Sequence, residues 1–404
     1  MLSTMTELSF DPKDPVGMPP TRHAPPLFYL LLMQLGAASL SACTDAAPEA
    51  SRDAGHDAGP HDSGVQLTDA ATKPAACAAP NDPDDLPSEL SKTGCMHPDH
   101  PTQFAENVLP YEVNSPLWSD GADKQRGMRL PEGGKIRVRD CAKTPDACQA
   151  AADSGKWLFP VGTVLLKSFG FDGKLVETRL FARMTNEWIG YTYQWNEAQT
   201  SATLVPDDRV EVAFDTGKRS VAWTYPNRFD CMECHNPKGG SSLGPETAQL
   251  NRMVGGQNQI DALAAHGVFE AAPAQPYAAA LVTPYKDQAG EPPASATLET
   301  RVRSYMHANC AFCHRPDSTF PSLDMRFDVA FKDTHLCGST PLKGDVGVAN
   351  AKNLTPGQPM QSTTWLRMAA QPNEGRMPQI GTVVVDEQGL KLMGDWISSL
   401  SACP

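Results

Sequence analysis

The most specific chemistry in this 404-residue chain lies in two copies of one pentapeptide. They are Cys231-Met232-Glu233-Cys234-His235 and Cys310-Ala311-Phe312-Cys313-His314. C-x-x-C-H is the spacing of covalent c-type haem attachment. On a helical turn, cysteines three apart and the adjoining His share one surface. Two thiols can then add to two vinyl groups while the imidazole reaches an iron. The spacing predicts thioethers at Cys231, Cys234, Cys310 and Cys313 and iron ligation by His235 and His314, hence two covalently attached haem c groups. A redox dithiol would need a βαβ context, which the surrounding sequence lacks. A zinc site would use both pairs as four thiolates and leave the two following histidines unexplained.

The second iron ligands follow less directly. Downstream of the second motif, Arg376-Met377-Pro378 offers Met377 on a loop as the distal ligand of His314. A thioether opposite an imidazole raises the reduction potential and suits a carrier rather than an oxygen binder. Met368 competes, but it sits in a helical stretch and reads as core packing. Arg367 or Arg376 could pair with a haem propionate, and a solvated Arg is the alternative. For the first motif, Met253, His266 and His307 are all candidates, and an open sixth position is a further one. No residue reads as catalytic.

Eleven cysteines are present. An apolar run over 27–40 ends in Leu40-Ser41-Ala42-Cys43, which resembles a bacterial lipobox and predicts lipidation of Cys43. Residues 1–43 would then be a lipoprotein signal peptide. From 44 to 90, acids outnumber bases ten to two, so most of the net charge of −13 sits in a stretch rich in Ala, Pro, Gly and Ser. Residues 44–87 are expected to be a disordered acidic tether. The charge therefore says little about docking surfaces, and nothing points to nucleic acid. With Cys43 and the motifs set aside, Cys77, Cys95, Cys141, Cys148, Cys337 and Cys403 remain. An even number in an exported chain predicts disulfides, with Cys141–Cys148, Cys77–Cys95 and Cys337–Cys403 as the expected set.

These residues must be held by a fold. Residues 135–139, 176–184, 188–195 and 210–214 alternate with strand periodicity, 161–169 is apolar and β-branched, and Gly and Asp mark the turns between them. This predicts an antiparallel β-rich domain over 88–228 with one buried face. Residues 229–295 form the first haem-binding segment, with short helices over 245–252 and 258–266. A helix over 298–309 leads into the second motif, and Leu390, Met393, Ile397 and Leu400 mark an amphipathic helix over 387–400. Helix, haem motif, loop, Met-Pro and terminal helix is the order of a small class I cytochrome c domain, which 296–404 resembles. The expected class is α+β multidomain: a β-rich N-terminal domain, then an all-α class I cytochrome c-like domain.

Several phrases resemble a family of secreted bacterial dihaem c-type cytochromes of largely unassigned role. They include Pro110-Tyr111-Glu112-Val113-Asn114-Ser115-Pro116-Leu117-Trp118-Ser119-Asp120, Tyr193-Gln194-Trp195-Asn196-Glu197-Ala198-Gln199-Thr200 and Arg303-Ser304-Tyr305-Met306-His307-Ala308-Asn309-Cys310. The resemblance covers about residues 86–404. It implies a periplasmic or cell-surface electron-transfer protein, lipid-anchored to a bacterial membrane and acting with redox partner proteins. That family often carries His where Phe312 stands, so this chain has no extra ligand there. The rival function is enzymatic: a dihaem peroxidase or the haem subunit of an exported dehydrogenase. In dihaem peroxidases the motifs head two similar domains, which are not legible here. A third possibility, a carbohydrate-binding or scaffold module, rests only on aromatics such as Trp188 and Trp195, which are more often core.

Overall fold

Long alternating segments rich in Val, Leu, Thr and aromatic residues build the centre of the fold. In this computed structural model the described residues are 76–140, 155–208, 210–237, 239–277, 280–287, 290–316, 318, 320–372 and 374–404. The expected signal peptide, Cys43, most of the acidic tether and the Cys141–Cys148 pair lie outside them. The strands are β1 (Leu109–Pro110), β2 (Asp123–Arg129), β3 (Arg137–Val138), β4 (Trp157–Leu158), β5 (Val164–Phe171) and β6 (Lys174–Arg183). Next come β7 (Trp188–Trp195), β8 (Ala202–Leu204), β9 (Val210–Asp215) and β10 (Ser220–Tyr225). The helices are α1 (Arg228–Cys234), α2 (Thr247–Leu250), α3 (Gln259–Ala265), α4 (Leu298–Asn309), α5 (Thr363–Ala369) and α6 (Glu387–Ser399).

Six strands form one antiparallel sheet in the order β1-β2-β5-β6-β7-β8. Both of its faces are covered, rather than the one expected from the alternation. On one face Leu166, Leu180 and Tyr191 stand in register. They pack under Leu90, Met96 and the Cys77–Cys95 disulfide. On the other face Met128, Leu165 and Phe181 stand in register. Leu250, Ile260 and Leu263 of α2 and α3 close over them. The charged residues Glu177 and Arg179 of β6 lie on this second side, and Glu177 is fully buried there. Trp188 and Trp195 are core residues, 8% and 3% exposed, so they offer no aromatic platform for a sugar.

The all-α class I cytochrome c-like domain expected over 296–404 is overturned by the structure. Among the described residues of that stretch, α-helix is confined to α4, α5 and α6. Between α4 and α5 the chain runs through turns and two single 3-10 turns at Phe331–Asp333 and Pro359–Gln361. The physical cause is local. Pro316, Pro321, Pro341, Pro356 and Pro359 interrupt helical hydrogen bonding. His335, Gly338, Gly344, Val346, Gly347, Asn350 and Gly357 all have positive φ. The helical periodicity that marked α4 and α6 does not extend across this loop. The protein is β-rich, and these helices surround a small core of Val302, Tyr305, Met306, Leu392, Trp396 and Ile397.

That core is tied to the sheet by a strap following β1. Ser115 Oγ donates to the carbonyl of Ser304 at 2.9 Å, and the Trp118 amide donates to Asn309 Oδ1 at 2.7 Å. Asp120 accepts from the amides of Val383 and Val384, with Oδ1 at 2.9 Å from each. Within the C-terminal region itself there is a covalent tie: Cys337 and Cys403, 66 residues apart, form a disulfide. Closing a loop of that length removes about 4 kcal/mol of unfolded-chain entropy. The Cys337→Ser, Cys403→Ser double variant is therefore expected to unfold at lower denaturant, losing about 4 kcal/mol. A midpoint equal to that of the parent would show that this bond does not hold the C-terminal core.

Candidate functional site

The first motif occupies the end of α1. Asn227 caps this helix: its side chain accepts from the Asp230 amide, and the Asp230 carboxylate accepts from the Asn227 amide. The helix lies against β7, where Gly190 leaves room for it. A Cβ at Gly190 would stand 2.6 Å from Cys231 Sγ and 2.9 Å from Cys231 Cβ. His235, at the C-cap, lies on the Phe181 ring with centroids 4.2 Å apart. Its Nδ1 is 2.6 Å from the Ser241 carbonyl. A carbonyl only accepts, so Nδ1 carries the proton and Nε2 keeps its lone pair. Burial pushes the imidazole down to about 4, so it is neutral at physiological pH.

The second motif follows α4. The Cys310 amide donates to the Met306 carbonyl, and the Cys313 and His314 amides both donate back to the Cys310 carbonyl. These turns fold the motif around one point. Asn309, 3% exposed, anchors it: Oδ1 accepts from Trp118 of the strap and Nδ2 donates to the Tyr305 carbonyl. Burial lowers His314 to about 4 as well. A cavity of about 410 Å³ opens beside it. Its walls include Cys310, Cys313, His314, Trp118, Met368, Arg376 and Met377. The loop carrying Met377 is held by its amide donating to the Arg367 carbonyl at 3.0 Å.

This cavity combines largely apolar walls with a few polar groups. The walls are largely side chains such as Phe320, Leu323, Leu342 and Ile380. In them lie buried polar atoms without a protein partner: His314 Nδ1 and both Nε and Nη1 of Arg376. Unpaired buried donors cost about 1–3 kcal/mol each, and an anionic ligand would satisfy those of Arg376. Arg367 is otherwise engaged, donating to the carbonyls of Gly375 and Lys343 at 2.7 Å. Of the two arginines considered from sequence, Arg376 is therefore the one with donors to offer.

The fold brings both motifs together. Asn236 Nδ2, one residue beyond His235, donates to the Phe312 carbonyl inside the second motif at 3.3 Å. Glu233 of the first motif reaches the wall of the second motif's cavity. All four motif cysteines are free thiols. Burial raises Cys231 to about 11 and Cys234 and Cys310 to about 12, and it raises Cys313 as well. Thiols held protonated are unlike the low-pKa thiolates of redox dithiols. Among the described residues, no group of three or more His, Cys, Asp or Glu side chains is arranged to hold a metal ion. The four thiols thus do not converge into a zinc site.

The three proposed sixth ligands of the first motif fare differently. His307 has both nitrogens committed: Nδ1 accepts from the Phe327 amide and Nε2 donates to Glu246 Oε1 at 2.8 Å. Met253 is 62% exposed on a short hairpin, and His266 is exposed at the end of α3. Reasoning from sequence missed Gly190, Trp118, Asp120 and Ser241. Gly190 gave no pattern signal in its strand, and Ser241 acts through its backbone. The strap residues could have been sought in the polar cluster Asn114-Ser115 and Ser119-Asp120, which interrupts an otherwise apolar stretch.

Gly190→Ala should force α1 off β7 and cost about 1–3 kcal/mol of stability, as overpacking does. Denaturant unfolding would measure it, and a wild-type midpoint would mean that Cys231 is not seated on this strand. No family model, curated protein or solved structure matches the chain.

Proposed function

We propose that the chain is an exported dihaem c-type cytochrome that passes electrons between redox partner proteins. The observation that carries this is the juxtaposition of two complete C-x-x-C-H sites across the Asn236–Phe312 contact. Each site offers two free thiols and a half-buried imidazole held neutral by desolvation. Haem bound there would supply a reversible one-electron couple. Everything else is work for this chain's own residues. The four thiols attach covalently. The Ser241 carbonyl holds the His235 proton on Nδ1 and leaves Nε2 to bind iron. Met377, which lines the same cavity as His314, would offer its thioether to the iron and favour the reduced state. Arg376, with its buried Nε and Nη1, would hold a propionate.

The lipobox-like sequence at Cys43 and the disulfides Cys77–Cys95 and Cys337–Cys403 support residence outside the cytoplasm, at the periplasmic or cell-surface side of a membrane. No helix among the described residues is long and apolar enough to cross a membrane. The lipobox-like sequence is the ground on which attachment is assigned to lipid on Cys43. The resemblance to secreted dihaem cytochromes points the same way.

Protein matured in a host that assembles c-type cytochromes should give two haems per chain in a pyridine haemochrome assay. The Cys231→Ala, Cys234→Ala double variant should give one. A parent chain with none would end this assignment. Met377→Ala should abolish the weak sulfur-to-iron charge-transfer band at the red end of the spectrum. Survival of that band would remove Met377 from the iron.

A further inference from the structure

A row of cations crosses the sheet face on which the first motif sits. Arg126 of β2 stands opposite Lys167 of β5, and Lys167 stands opposite Arg179 of β6. Directly opposed residues lie about 4.5–5.5 Å apart at Cα, so these three positive charges are neighbours. They share their face with Phe181, two residues beyond Arg179, and it is on Phe181 that His235 rests. Gly190, which receives Cys231, is paired with Phe181 in the adjoining strand. The row therefore runs beside the first motif.

The protein's own carboxylates meet this row only in part: Asp287 and Glu112 act on Arg126 from a distance, and Glu177 pairs with Arg179. Glu177 is fully buried and committed: it accepts from Arg179 and from Trp223 Nε1 at 2.9 Å. Glu112 pairs with Arg252. No hydrogen bond or ion pair engages the side chain of Arg126 or Lys167 among the described residues. Lys167 instead places its ammonium 5.0 Å from the centre of the Phe169 ring, with the Arg179 guanidinium 4.5 Å from the same ring. Like charges directly opposite one another destabilise a sheet. Burial first, then Arg126, Lys124 and Arg179, hold the Lys167 ammonium well below its ordinary range. Such a row is tolerable when an anion with more than one negative charge lies on it.

We propose that Arg126, Lys167 and Arg179 are the anchor for the two carboxylates of the haem carried by Cys231 and Cys234. This rests on the dihaem assignment. It gives the first site an anionic subsite separate from Arg376, which serves the second. It also makes the row a determinant of potential: cations close to a haem favour its reduced, more negative state.

The test uses the mature, full-length protein with a redox titration followed in the visible spectrum. The two midpoints are assigned with Met377→Ala, which moves only the second haem. Lys167→Met and Arg126→Met should each keep two haems per chain. Each should lower the first midpoint by a tenfold change in the reduction equilibrium, about 59 mV for one electron, and leave the second in place. Lys167→Arg should restore the parental value. Met keeps the aliphatic stem and removes a poorly compensated charge, so the fold should survive; if one neutral variant fails to accumulate, the other reads the same quantity. Two haems with a first midpoint indifferent to both neutral substitutions would overturn the anchor while leaving the dihaem assignment intact. Fewer than two haems on the parent chain would instead defeat that assignment. A parental first midpoint that responds to added inorganic phosphate, and ceases to do so in Lys167→Met, would also overturn the anchor, since the row would then be an open anion site.

Discussion

The contact on which other placements depend is the seating of Cys231 against Gly190. A helix carrying a thiol can lie directly on a strand only where the strand has no side chain. Because α1 lies this low, His235 meets Phe181 and its Nδ1 meets the Ser241 carbonyl. Because His235 is there, Asn236 reaches the Phe312 carbonyl and fixes the second motif beside the first. The strap from β1 completes the arrangement from the other side through Trp118, Asn309 and Asp120. The motifs are 79 residues apart in sequence, from Cys231 to Cys310, yet a short chain of contacts makes them one site.

Burial then sets the chemistry. The same environment that keeps the motif thiols protonated keeps both imidazoles neutral. Both effects come from the penalty on charge in an apolar surrounding, which raises acids and lowers bases. Cationic groups within this region meet the same penalty, which pushes the Lys167 ammonium down and leaves donors of Arg376 buried without a partner.

Much of this was legible in the residues. The two pentapeptides, the alternation of β5, β6 and β7 and the helix ending at Asn309 all carry strong local patterns. What local pattern cannot express is which faces are covered. Glu177 and Arg179 look like solvent-facing positions, but α2, α3 and the β9–β10 hairpin close over that side, and Trp223 of the hairpin hydrogen-bonds Glu177. The C-terminal region misled for a related reason: α4 and α6 have helical periodicity, but the long proline- and glycine-bearing loop between them does not, and order of motifs is not a fold. Gly190 and Ser241 act through an absent side chain and a carbonyl, neither of which a sequence pattern marks.

The Cys337–Cys403 bond bears on the order in which the two sites are completed. The sheet beneath the first motif is assembled from strands that end by Tyr225, and α1 follows at once. The second motif's core needs Leu392, Trp396 and Ile397 of α6, and its covalent clasp cannot close until residue 403 has arrived. A chain that emerges from its N-terminus can therefore complete the sheet and α1 before the core around the second motif has all of its parts. Oxidation of Cys337 and Cys403 is then the last covalent step, and it fixes the C-terminus to the loop that follows the second motif.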